Sequence, residues 1–439
     1  MLVGQYAATN VNYGVSTFAT TGVTDGAGHD LPGAIDWHQL GAGFGGHLWF
    51  THTRPASDTA RTVTGIWTPT LPRVGSYEIR AFIPDTGAAT TQARYAIADG
   101  SGATSPWVRY LDQSQPGDQW VSLGFWHLAP GASVSLSNVT ADGNGTVDIA
   151  FDAVEFIPVA PGSYVSLGDS YSSGEGVWPG PFDNGTDVAV TSLDQGDWCH
   201  RSDEAYARQY AALTATFAHR PVVHLACSGA NLYDVSGAVG VTPNPDHAGN
   251  AYYDEPYQVN EIPHDARLVT LSVGGNDVGF ADIIQTCAQI IPTSTPCQNA
   301  FPTETRTISN TFSGLVATYM AVKQAAPQAQ VWVLTYPNIF STDPNAQSCT
   351  FIQSTDLAWL IARTHQLDTV IKLAARQAKV HVLDEEHAFA GHEECTTDTW
   401  VTGPGIVVFG NDAENSAFHP DYLGYQKEAE DLKNAVPIP

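Results

Sequence analysis

"YVSLGDSYSSGEG", residues Tyr164–Gly176, opens as an apolar run of strand length and turns at once into Gly-Asp-Ser and small hydroxyl residues. A strand that ends by presenting Ser170 on a glycine-rich turn needs a reason. Further apolar runs follow at "VVHLAC", "LVTLSV", "VWVLTYP" and "VHVLD", too continuous for a sheet with one wet face. Between them lie helical spacings: Tyr206, Tyr210, Leu213 and Phe217, then Leu360, Leu367, Ile371 and Ala374 behind a Ser354 cap. Strands buried on both faces and alternating with helices predict an α/β/α domain with a central parallel sheet. Ligands of such sheets sit at the carboxyl ends of the strands, and Ser170 stands at one of them.

Upstream the pattern changes. "GSYEIRAFIP" alternates Tyr77, Ile79, Ala81 and Ile83 with Glu78, Arg80 and Phe82, the two-residue period of a half-buried strand. Similar segments recur at "ARYAIADG", "QWVSLGFWHL", "ASVSLSNV" and "TVDIAFDAVEFIP", broken by Gly, Pro, Asp and Asn turns, which predicts an all-β sandwich. A chain of 439 residues exceeds one ordinary core. The expected division is therefore a β-sandwich over residues 1–158 and the α/β/α domain over 162–439, with "VAPG" (Val159–Gly162) as linker.

Composition narrows the partners. A formal net charge of −27 repels nucleic acid and anionic lipid. No apolar run reaches the length needed to span a bilayer. Met1 leads into "LVGQYAATN" without a basic segment and apolar stretch, so the expectation is a mature secreted form behind an added start codon. Six cysteines, Cys199, Cys227, Cys287, Cys297, Cys349 and Cys395, all lie in the second domain and none has CxxC spacing. That arrangement points to three disulfides and an oxidising, extracellular setting.

Three strand ends carry the chemistry. Gly-Asp-Ser alone reads as a capped turn. "HLACSGANLYD" adds Gly229, whose amide can approach an oxygen unshielded, and "LVTLSVGGNDVGF" adds Asn276, a neutral amide donor. The main-chain N–H groups of Ser170 and Gly229 and the Asn276 side chain would form a three-donor oxyanion hole. Near the C-terminus "NSAFHPDYLGYQKEAEDL" places His419 in a loop, with Pro420 suited to the first turn of the helix behind it. There it can serve Ser170 as general base.

Together the blocks "GDSYSSGEG", "ACSGA", "SVGGNDVGF" and "SAFHPDYLGY" resemble the SGNH hydrolases, also called GDSL esterases and lipases, especially their secreted actinobacterial members. The resemblance covers roughly residues 162–439. It implies Ser170 as nucleophile, Gly229 and Asn276 completing the oxyanion hole, His419 as base, and the pairs Cys199 with Cys227, Cys287 with Cys297, and Cys349 with Cys395. One departure matters: most of the family has Asp three residues before the histidine, and here that residue is Ser416. The Ser416 main-chain carbonyl is the favoured acceptor for the Nδ1 proton, which gives a dyad; Glu414 or Asp412 folding back are the alternatives.

The first domain, from "GGHLWFTHTRP" to "FDAVEFIP", is similar to the golvesin C-terminal-like sandwich found beside polysaccharide-active enzymes. That implies an accessory module and a candidate carbohydrate-binding surface, with Trp67, Trp107, Trp120 and Trp126 either stacking on sugars or lying in the core. Asp142, Asn144, Thr146 and Asp148 lack the glutamate that closes an EF-hand loop and read as a turn. The expected activity is hydrolysis of carboxylic esters through an acyl-enzyme on Ser170, with no metal or organic cofactor. Short-chain or polysaccharide-linked esters are the expected substrates, and Tyr171, Trp178, Trp198 and Trp400 the candidate pocket aromatics. The rivals are a lipase or phospholipase for longer acyl chains, a serine acyltransferase, and a binding protein with an inactive hydrolase scaffold.

Overall fold

The protein is described from a computed structural model over residues 2–3, 17–21, 37–102, 106–114, 117–177, 199–217, 222–237, 257–288, 296–341, 352–403 and 417–437. It divides into two compact units between Val159 and Ala160.

The first unit is a β-sandwich. Its antiparallel sheets run Leu2–Val3, Val154–Pro158, Gly75–Ile83, Gln119–Leu128 in one layer and Thr17–Thr21, Thr64–Thr68, Ser133–Ser137, Ala93–Ala98, Trp107–Leu111 in another. A third, three-stranded sheet is built from Asp148–Phe151, Leu48–His52 and His38–Leu40. Tyr77, Ile79, Ala81 and Ile83 all point into a core shared with Ile97, Val134, Ile149 and Phe151, as their alternation requires. A bulge interrupts the pairing with Gln119–Leu128: Leu123 and Gly124 together face Ile79, and Gly124 takes φ +96°. The extra residue shifts the alternation by one, so that Val121 and Leu123 before it and Trp126 and Leu128 after it lie in one core. The Asp142 to Asp148 stretch is a turn whose oxygens are used locally: Asp142 accepts from Thr90 and Thr91, Asn144 from Thr146, and Asp148 pairs with His52 at 2.9 Å.

The second unit holds a five-stranded parallel sheet. In spatial order its strands are Val223–His224, Tyr164–Gly168, Leu268–Ser272, Gln330–Leu334 and His381–Leu383. Every residue of Tyr164–Gly168 and Leu268–Ser272 is buried, which explains the unbroken apolar runs. Helices Tyr206–Leu213 and Tyr422–Ala435 pack together and place Tyr206, Tyr210, Tyr425 and Leu432 in a core with Tyr164 and Trp332. Helices Phe312–Ala325 and Ser354–Ala378 form another packed pair. Two expectations shift by a residue or a turn. Leu213 is exposed at the helix end and Phe217 lies beyond it, while Gln353 holds the cap position and Ser354 is already helical.

Numbered in chain order, the strands lie 2-1-3-4-5. The chain reverses its direction of growth between the first and third strands, and sheets of this kind bind their ligands at that point, beyond the carboxyl ends of the strands. Ser170 follows the first of these strands and Asn276 the third.

Candidate active site

Gly168 ends the first strand at φ +119°, and a Cβ there would lie 2.1 Å from the Ser272 carbonyl oxygen, so only glycine lets the chain turn so close to its neighbour. Gln258, in the loop before the third strand, clamps this glycine with both ends of its amide: its Oε1 accepts from Gly168 N at 2.7 Å and its Nε2 donates to Gly168 O at 2.9 Å. Asp169 then caps a one-turn helix, Ser170–Ser173, by accepting from Tyr171 N at 3.2 Å. Its buried carboxylate also accepts from the Ser272 hydroxyl at 2.9 Å and from the Tyr336 hydroxyl. Burial outweighs these bonds and pushes Asp169 up to about 6. As the first residue of the turn, Ser170 has a main-chain N–H with no helical acceptor, and its side chain is half-buried.

His419 closes the pair: its Nε2 lies 2.7 Å from Ser170 Oγ. Its Nδ1 lies 3.0 Å from the main-chain carbonyl of Ala417, which fixes the tautomer because a carbonyl only accepts. Ser416, Glu414 and Asp412 lie outside the described residues. The loop is anchored mostly through backbone. Tyr171 donates its hydroxyl to Phe418 O at 2.7 Å, Phe418 N donates to Thr402 O at 2.7 Å, and Thr402 N donates to His419 O at 2.9 Å. Gly176 permits the approach, since a Cβ there would sit 2.1 Å from Pro420 O. Pro420 precedes the helix rather than joining its first turn; Asp421 is the cap and accepts from Leu423 N at 2.8 Å and Gly424 N at 2.9 Å.

The other two strand ends are tied to the same place. Cys227 N donates to Gly168 O at 2.9 Å, which holds the Gly229 loop beside the nucleophile turn, and Gly229 itself takes φ +77°. Asn276 Nδ2 donates to Ala230 O at 2.9 Å, leaving its second amide proton without a protein partner among the described residues. Gly275 N donates to the Tyr336 hydroxyl at 2.9 Å, so that tyrosine joins the third strand end to Asp169. Asp277 accepts from Leu232 N at 3.1 Å, and burial pushes its carboxyl up to about 7.

Two disulfides are present as paired in the sequence analysis, Cys199–Cys227 and Cys287–Cys297. Cys395 is also disulfide-bonded, and Cys349, its expected partner, lies outside the described residues.

Sequence reasoning missed a second buried pair. Glu175 is wholly buried and takes hydrogen bonds from His200 Nδ1 at 2.8 and 3.0 Å. Burial alone would raise this acid, but the His200 ring, the His419 ring and the Ser228 hydroxyl together hold it below the usual range. Its only signal in sequence was an acid flanked by glycines inside the nucleophile block. Among the pocket aromatics, Tyr171 packs its ring 4.9 Å from that of His419, whereas Trp400 stacks on His392 at 3.6 Å and serves packing. Trp178 and Trp198 lie outside the described residues. In the sandwich, Trp67 and Trp126 belong to the core, Trp120 is half-buried, and Trp107 is 42% exposed.

The GDSL-like lipase/acylhydrolase family model matches residues 166–427, and the Golvesin C-terminal domain model matches residues 37–158. Lipase 1 of Streptomyces coelicolor is 30% identical over 296 residues, which span 66% of this chain and 92% of the relative. A lipase of Streptomyces rimosus is 29% identical over 270 residues, 59% of this chain and 81% of the relative. Among solved structures, phospholipase A1 from Streptomyces albidoflavus NA297 is similar with 28% identity and a TM-score of 0.47, covering 63% of this chain and 100% of that one.

Proposed function

This chain belongs to the GDSL-like lipase/acylhydrolase family and is a carboxylic ester hydrolase, and from that premise we propose that it is a secreted serine esterase working through an acyl-enzyme on Ser170. His419 Nε2 takes the Ser170 proton as Oγ attacks the ester carbonyl. The oxyanion is received by the main-chain N–H groups of Ser170 and Gly229 and by the second Nδ2 proton of Asn276. His419 then gives the proton to the departing alcohol. In the second half it takes a proton from water, the hydroxide adds to the acyl carbon, and collapse returns the proton to Ser170 and releases the acid. The observation that carries this reading is the 2.7 Å contact between His419 Nε2 and Ser170 Oγ, backed by the Ala417 carbonyl on Nδ1. A main-chain carbonyl, that of Ala417, in place of the usual carboxylate makes this a dyad.

Short-chain or polysaccharide-linked esters are the proposed substrates, supported by the small hydroxyl and glycine residues around the nucleophile. The sandwich would act as an accessory module, with exposed Trp107 as the sugar-stacking candidate. A second reading, hydrolysis of long-chain lipid esters, draws support from relatives named as lipases. Hydrolysis of a p-nitrophenyl ester series from acetate to palmitate, with Ser170→Ala as control, decides between them. An optimum at acetate or butyrate supports the first and an optimum at decanoate or beyond the second; equal turnover by Ser170→Ala removes the serine mechanism altogether.

A further inference from the structure

The dyad reading leaves an electrostatic question. During attack the His419 ring becomes a cation, and the Ala417 carbonyl on its Nδ1 is only a neutral dipole. The groups around the ring are mostly poor supports. Tyr171 and Tyr425 are neutral phenols whose ionisation is pushed up by burial, Glu428 is raised well above the usual range by burial, and Asp169 spends its oxygens on Tyr171 N and the hydroxyls of Ser272 and Tyr336.

Glu175 differs from them in its wiring. It is wholly buried, five residues past the nucleophile in the chain, and an ionised carboxylate in such a place persists only when donors surround it. His200 Nδ1 donates to both its oxygens, at 2.8 and 3.0 Å, and the Ser228 hydroxyl donates as well. Ser228 immediately precedes Gly229, and its main-chain N–H is held by Cys199 O at 2.9 Å. On the other side, Gly176 is pressed against the base: a Cβ there would stand 3.0 Å from His419 Cβ, and Thr402 Oγ1 donates to Gly176 O at 3.0 Å. Glu175 thus sits where the oxyanion loop, the base loop and the nucleophile segment converge.

We propose that Glu175, held by His200 and Ser228, is a positioning residue whose buried negative charge stabilises the His419 imidazolium, a role the neutral carbonyl on Nδ1 leaves unfilled. The proposal rests on the Ser170–His419 mechanism above. It acts through His419, not on the substrate, so its mark is on kcat and on the ionisation of the base. A neutral amide of the same shape removes the charge and keeps the packing.

The test compares Glu175→Gln and Glu175→Asp with the wild type in kcat/KM against pH on p-nitrophenyl acetate. Removing a nearby negative charge lowers an imidazole's pKa, so Glu175→Gln is expected to move the acidic limb down by roughly 0.5 to 1 pH unit. Its kcat should fall about 10-fold with KM changed less than about 2-fold. Glu175→Asp, which keeps the charge, should leave the limb in place and restore most of kcat. An unmoved limb in Glu175→Gln, or an equal displacement in Glu175→Asp, overturns the proposal and leaves Glu175 a packing residue. If Glu175→Gln alone does not fold, the double variant Glu175→Gln with His200→Gln, an amide pair that can hydrogen-bond to itself, reads the same limb. Loss of the serine mechanism is separable, because it appears as equal turnover by wild type and Ser170→Ala.

Discussion

Ser170 and His419, 2.7 Å apart, are held in different ways. Ser170 stands on a turn fixed by buried side chains from distant segments of the chain: Asp169 is gripped by Ser272 and Tyr336, and Gly168 by both ends of the Gln258 amide. His419 stands on a loop fixed by main-chain carbonyls and one tyrosine hydroxyl. The Ser170 end therefore depends on residue identity at several places, and the His419 end on the path of the chain. A substitution near Ser170 should be felt sharply and one near His419 mildly, unless it breaks the chain path itself.

Four measurements would break or sharpen that contrast. The largest effect is expected from Ser170→Ala, which should lower kcat/KM by about 10⁴-fold or more with folding intact, read by ester hydrolysis and thermal unfolding. Next, Asn276→Ala should lower kcat by roughly 10²-fold or more with little change in KM, since its amide would act on the oxyanion only as it forms. Retention of most activity would remove Asn276 from the oxyanion hole.

Third comes pH. Burial raises Asp169 from the ordinary carboxylate range to about 6, so its native form binds a proton more tightly than the unfolded chain does. Its contribution to stability is fully present below about pH 4 and is lost as pH rises through about 6, a difference on the order of 3 kcal/mol. Thermal unfolding of the wild type should drop by several degrees between pH 4.5 and 7. Asp169→Asn, which preserves the cap and the acceptor oxygen, should flatten that slope. A slope unchanged in the variant would mean other buried acids dominate, with Glu385, raised to about 8, and Asp277, raised to about 7, as the next to replace. The smallest effect is expected from Tyr171→Phe, which leaves the Phe418 carbonyl without its 2.7 Å donor. It should cost about 1 kcal/mol and lower kcat several-fold. A loss as large as that of Asn276→Ala would show that the His419 end is no more tolerant than the Ser170 end.

The contrast also separates what sequence could tell from what it could not. Short blocks at strand ends announced Ser170, Gly229 and Asn276, because a strand fixes where its last residue lies and a parallel sheet brings successive strand ends together. His419 was legible from its block as well. Its Nδ1 partner was not, because which carbonyl meets the ring depends on the backbone path through Ala417 and Phe418, the latter at φ +63°. The Glu175–His200 pair escaped for a different reason: 25 residues separate the partners, and neither has a spacing that marks it. In the sandwich, alternation located the Gly75–Ile83 strand, whereas the Gly124 bulge that buries Trp126 left no trace in the period.

The Cys199–Cys227 bridge reaches further than its place in the chain suggests. Cys199 O holds the amide before Gly229, Cys227 N holds the Gly168 carbonyl, and His200 is the next residue along. Opening the bridge would therefore be felt in the Gly229 loop and at the Gly168 turn at once, while leaving the Ser170 and His419 side chains chemically untouched.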